Sequence, residues 1–99
     1  MNLKEFNEIL KNSNLVIVEF FATWCGPCKA MAPVLVEAGE NLGDKARILD
    51  IDVEESPELA TEYRIRNVPT ILYFKGGELK DKSVGTINLE NLMDKINNL

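Results

Sequence analysis

A chain of 99 residues, 45% of them hydrophobic and 27% charged, is long enough for one compact domain with a modest core and too short for two. Its 11 basic and 16 acidic residues leave a net charge of −5, with the acidic side chains scattered along the chain, which argues against nucleic acid or an anionic membrane surface as a partner. The longest apolar run, Leu15 to Ala22, is broken by Glu19 and falls far short of the roughly 20 residues a helical membrane span needs.

Met1 is followed at once by Asn2-Leu3-Lys4-Glu5, where a secretory leader would show a basic region and then an apolar stretch; the expected compartment is the reducing cytoplasm. Asn2 and Glu5 form a capping-box pattern, and Leu3, Phe6 and Leu10 recur at helical spacing, which predicts a helix over residues 3 to 12. Leu15-Val-Ile-Val-Glu-Phe-Phe21 is β-branched and aromatic with apolar residues on both faces, the composition of a strand buried in mid-sheet. From Cys28 to Leu42, the residues Met31, Leu35, Ala38 and Leu42 mark one face of a long helix, with a bend expected at Pro33 and a stop at Gly43. A second strand follows at Ala46 to Val53. Ser56-Pro57 then supplies an N-cap and a first-turn proline for a short helix to about Tyr63. Thr70 to Phe74 and Leu79 to Val84 flank Gly76-Gly77 as a β-hairpin, and Asn88 caps a last helix with Leu89, Leu92, Met93, Ile96 and Leu99 on its apolar face.

The order α, β, α, β, α, β, β, α predicts an α/β fold, one domain over residues 1 to 99, in which a mixed four-stranded sheet carries helices on both faces. The strand at 15 to 21 is central in that arrangement, and its carboxyl end delivers Trp24 and Cys25 to the surface, where such sheets place their sites.

Trp24-Cys25-Gly26-Pro27-Cys28-Lys29 holds both cysteines of the chain. A thiol exchanges with a disulfide as its thiolate, so a redox cysteine needs a neighbour that lowers its pKa. A helix starting near Cys25 supplies one through the free N–H groups and positive dipole end of its first turn, and Lys29 adds a solvated charge. Residues three apart there lie roughly 5 to 6 Å from each other, within reach of a disulfide. Gly26 admits a partner chain, Pro27 stiffens the turn, and Cys25, nearer the helix end, is the expected accessible attacker, with Cys28 the shielded resolver. Structural zinc wants four Cys or His ligands, and this chain has two cysteines and no histidine, so no metal site is expected. Haem attachment needs His at position 29, which is Lys. A static disulfide is the third reading, although so short a loop restrains the unfolded chain little.

With these residues in view, the sequence resembles the thioredoxin family. The resemblance is carried by Phe20-Phe21-Ala22-Thr23-Trp24-Cys25-Gly26-Pro27-Cys28-Lys29, by Ala32-Pro33, Val68-Pro69-Thr70, Phe74-Lys75-Gly76-Gly77 and Val84-Gly85, and it extends from about Phe6 to the end. It implies a thioredoxin-like fold and a thiol-disulfide oxidoreductase with no cofactor beyond the Cys25–Cys28 disulfide. The implied role is a cytoplasmic reductant of disulfide-containing proteins, monomeric and recycled by a thioredoxin reductase. It further implies a cis peptide bond before Pro69, a Val68 backbone that pairs with extended substrate, and a flat uncharged docking patch made of Trp24, Gly26, Pro27, Val68, Pro69 and Gly85. An exported oxidase or isomerase, and a partner-clamping module with incidental cysteines, are the competing functions.

The chain also departs from the family pattern. The family's first strand has no counterpart ahead of Phe6, so a four-stranded sheet is expected. Phe21 stands where a second tryptophan is common, Glu19 stands for a buried aspartate, and Asp50 falls where many bacterial members carry lysine. A carboxyl buried in an apolar strand answers with a raised pKa and suits acid-base work on Cys28, whereas a solvated Glu19 would have no such role. If the strands at 15 to 21 and 46 to 53 are parallel neighbours, Asp50 and Glu19 share a poorly solvated site, and Glu19 is expected to hold the extra proton.

Overall fold

The computed structural model describes residues 1–99. Helix α1, Leu3–Asn12, begins at a complete capping box: the Asn2 side chain accepts from the Glu5 N–H at 2.8 Å, and the Glu5 carboxylate accepts from the Asn2 N–H at 3.1 Å. Strand β1, Leu15–Phe21, is buried along its middle five residues, as its two-sided apolar sequence demands. Helix α2, Gly26–Leu42, starts two residues before Cys28 and takes Gly26 and Pro27 into its first turn, where a missing N–H costs nothing. It runs through Pro33 as a single helix. Strand β2, Arg47–Asp52, leads to the short helix α3, Pro57–Glu62. Strands β3, Thr70–Lys75, and β4, Glu78–Val84, form a hairpin whose two turn residues, Gly76 and Gly77, have φ of +61° and +81°. That left-handed pair is what a tight turn between right-twisted strands requires. Helix α4, Leu89–Asn97, starts at Asn88, whose side chain accepts from the Asn91 N–H.

One expectation fails at α3. Ser56 has φ −126° and ψ 61° and makes no capping hydrogen bond. Its buried hydroxyl instead accepts from the Met1 nitrogen at 3.0 Å. A contact with the chain's first residue, 55 positions away, takes the oxygen that local sequence assigns to the helix.

The sheet has four strands in the order β2-β1-β3-β4, with β1 parallel to β2 and antiparallel to β3, and β3 antiparallel to β4. Strand alternation sorts the core onto two faces. Val16, Val18 and Phe20 join Leu49, Leu72 and Phe74 under Phe6, Leu10 and Leu59 of α1 and α3. Ile17, Ile71 and Tyr73 pack on the other face against Met31, Leu35 and Ala38 of α2 and Leu92 and Ile96 of α4. Helices therefore cover both faces of a mixed four-stranded sheet, the α/β arrangement the element order predicts. The central place of β1 holds its carboxyl end between β2 and β3, fixed from both sides.

Candidate active site

The chain leaves β1, turns at Ala22, whose carbonyl accepts from the Cys25 N–H at 3.1 Å, and enters α2 at Cys25. Cys25 is the N-cap, extended at φ −87° and ψ 110°, and its Sγ accepts from the Cys28 N–H at 3.2 Å. Sulfur thus does the work usually left to a Ser or Asp oxygen, satisfying one orphan donor of the first turn. The same donor and the helix dipole favour negative charge on Cys25 Sγ once the bond is reduced. Cys25 and Cys28 form a disulfide, with their Cα atoms 5.3 Å apart.

Both cysteines are buried, Cys25 at 4% and Cys28 at 6% exposure, so accessibility does not separate attacker from resolver in the disulfide form as expected. The bridge is packed with Ala22 against Phe21, Val53 and Val68. Surroundings separate the two sulfurs instead. Cys25 Sγ lies 3.7 Å from the Val68 carbonyl oxygen, whereas Cys28 lines a cavity that holds Glu19. No motif marks Val53; the parallel pairing of β1 with β2, extended by the Val53 N–H bond to the Phe21 carbonyl at 2.9 Å, brings it there.

The peptide bond between Val68 and Pro69 is cis, as the resemblance implies. The Pro69 carbonyl accepts from the Gly85 N–H at 2.8 Å, which ties the segment before β3 to the end of β4. Gly85 has φ +89°, a conformation glycine adopts freely. Around the disulfide, Trp24 is 71% exposed, Gly26 and Pro27 are exposed, Val68 and Gly85 are half-buried, and Pro69 is buried. The bonding pattern joins Val68, Pro69 and Gly85 to the Cys25 side of the bridge, and Trp24, Gly26 and Pro27 flank Cys25 along the chain. None of these six side chains is charged.

Glu19 projects from β1 on the α2 side of the sheet and is 4% exposed; its Oε2 is buried with no hydrogen-bond partner in the protein. It lines a cavity of about 340 Å³ together with Cys28, Lys29 and Asp50. Burial above all, then the charge of Asp50 and a hydrogen bond shared with it, push the Glu19 carboxyl up from its ordinary 4.5 to about 7. The exposed Lys29 also lines this cavity. A carboxyl poised near neutrality beside Cys28 can take or give a proton there. No group of three or more His, Cys, Asp or Glu side chains is arranged to hold a metal ion.

A family model described as thioredoxin matches residues 1–98. The chain is 43% identical over 91 residues to the thioredoxin of Rickettsia typhi, covering 92% of this chain and 87% of that protein. It is also 43% identical over 94 residues to the chloroplastic thioredoxin Y2 of Arabidopsis thaliana, covering 94% of this chain and 56% of that one. Among solved structures, oxidised mitochondrial thioredoxin 3 of Saccharomyces cerevisiae superposes with a TM-score of 0.91 at 38% identity, covering 99% of this chain and 91% of that one.

Proposed function

The chain belongs to the thioredoxin family of thiol-disulfide oxidoreductases, and from that premise we propose that it is a general protein-disulfide reductant of the cytoplasm, a single monomeric domain recycled by a thioredoxin reductase. The observation that carries the reading is Cys25 at the N-cap of α2, its sulfur receiving the Cys28 N–H. In the reduced protein that donor stabilises the Cys25 thiolate, which attacks a target disulfide and expels one target sulfur. Cys28 then gives its proton to Glu19 and attacks Cys25 Sγ. The Cys25–Cys28 bond forms, the bond from Cys25 to the target breaks, and the second target sulfur leaves. Two electrons have passed from the dithiol to the target, and the reductase returns them.

Trp24, Gly26, Pro27, Val68, Pro69 and Gly85 form the docking surface in this reading. An uncharged surface imposes few electrostatic vetoes, which suits a reductant of many proteins. Gly26-Pro27 between the cysteines favours a reductant over an oxidase, because strongly oxidising relatives commonly carry histidine there.

Turbidimetric reduction of insulin, driven by NADPH with its reductase or by ferredoxin with its own, is the direct test. Catalysis with either pair supports the reading and identifies the electron source; inactivity with both, and with dithiothreitol as donor, would remove it. Substoichiometric iodoacetamide on the reduced protein is expected to label Cys25 before Cys28, as peptide mass spectrometry would read. Faster labelling of Cys28 would reverse the two roles.

A further inference from the structure

The residues just ahead of β3, Arg66 to Pro69, belong to no helix or strand. The N–H groups of Arg66, Asn67 and Val68 take no carbonyl partner in the protein, so the segment is held through its carbonyls. The Pro69 carbonyl accepts from the Gly85 N–H at 2.8 Å, and the Val68 carbonyl oxygen lies 3.7 Å from Cys25 Sγ. The remaining tie is the Thr70 hydroxyl, which donates to the Asn67 carbonyl at 2.6 Å. Thr70 is the first residue of β3, 1% exposed, and is seated between two strands as register partner of Phe20 and of Val84. Its hydroxyl is therefore a donor fixed to the sheet. Valine would fill the same space without the cost of burying a hydroxyl.

The Asn67 C=O and the Val68 N–H are the two ends of one planar trans peptide unit and point in opposite directions. Drawing the carbonyl towards Thr70 turns the N–H away from it. We propose that Thr70 is a positioning residue for target docking: its hydroxyl sets the tilt of the peptide between Asn67 and Val68, and so presents the Val68 N–H, beside Cys25, to a main-chain carbonyl of the target. The group it serves is an extended segment flanking the target disulfide. Recognition through main chain is indifferent to the target's side chains. Without the hydroxyl the Asn67 carbonyl loses its partner, the peptide is free to turn, and the direction of the donor is no longer set.

This inference rests on the reading of Val68 as part of the docking surface, and its test separates the two. Insulin reduction is compared in the wild type, in Thr70→Val, which keeps the size and loses the donor, and in Thr70→Ser, which keeps the donor. KM for insulin is expected to rise about fivefold in Thr70→Val with kcat held, the signature of one lost hydrogen bond to the target, and to return to the wild-type value in Thr70→Ser. An unmoved KM, a fall in kcat alone, or a Thr70→Ser protein no better than Thr70→Val overturns the proposal. Amide hydrogen exchange gives a second reading that does not depend on the folding of Thr70→Val. The Val68 N–H should exchange fast in the free protein and about tenfold or more slower in the mixed disulfide of Cys28→Ser with an extended cysteine peptide. Exchange at one rate in both states overturns the presentation of this donor to the target. A failure of the functional reading shows elsewhere, as wild-type protein that does not reduce insulin.

Discussion

Cys25→Ser is expected to abolish disulfide reduction, lowering turnover on the order of a thousandfold or more to the uncatalysed background. A serine hydroxyl at the N-cap still accepts from the Cys28 N–H, so the fold and docking patch survive, yet it cannot ionise near neutral pH and forms no bond with sulfur. Cys28→Ser fails differently. Cys25 still attacks, nothing resolves the product, and mixed disulfides with targets should accumulate one per protein molecule. They would appear on non-reducing gels and vanish with dithiothreitol. The double serine variant discriminates the remaining rival, because a clamp working through its surface alone would keep its biological activity without either thiol. Loss of that activity together with the two sulfurs assigns the function to the disulfide.

The second large effect belongs to Glu19. Its carboxyl titrates at about 7 in the folded protein against an ordinary 4.5, so between those values the folded state binds more protons than the unfolded one. Stability from this group is fully present below about 4.5 and is lost as pH rises towards about 7. The loss amounts to roughly 3 kcal/mol across that window. Glu19→Leu removes the buried ionisation. Urea unfolding should show wild-type stability falling between pH 4.5 and pH 8 by roughly that amount relative to the variant, with the variant the more stable protein at pH 8. Its resolving step should be slower by about tenfold or more, since the acid-base partner of Cys28 is gone. Parallel stability curves for the two proteins would show that Glu19 titrates normally, and its assigned role would fall.

Much of this architecture is legible in the sequence because local signals and long-range packing agree. Asn2 and Glu5 are close in sequence and cap the helix they announce, and Leu15 to Phe21 is apolar on both sides because it lies between two layers of helices. The start of α2 at Cys25 is legible from the chemistry of the Cys25–Cys28 turn, although Gly26 and Pro27 carry no helical periodicity. Ser56 misleads because its competitor for the hydroxyl, the Met1 nitrogen, is 55 residues away. The burial of Cys25 was hidden for a similar reason: Val53 and Val68, which pack on the bridge, come from other elements. At the site, the Cys25–Cys28 pair follows from spacing, whereas an apolar strand leaves Glu19 open between a buried, raised carboxyl and a solvated one, and the family resemblance favours the first. The cis bond at Val68–Pro69 does not follow from spacing, because local chemistry favours trans, and only the family resemblance points to it.

The position of β1 between β2 and β3 also shapes how the protein is made. Its antiparallel partner begins at Thr70, and pairs such as Val16 with Phe74 join residues far apart in the chain. Non-local pairing of this kind waits for the chain and costs loop-closure entropy before any contact repays it. During synthesis, the segment carrying Cys25 and Cys28 leaves the ribosome long before Val68 can cover it or β3 can seat the strand beneath. The nascent thiols therefore meet the surrounding redox buffer without the packing that encloses them in the finished fold. The last third of the chain is what turns a reactive peptide into a selective one.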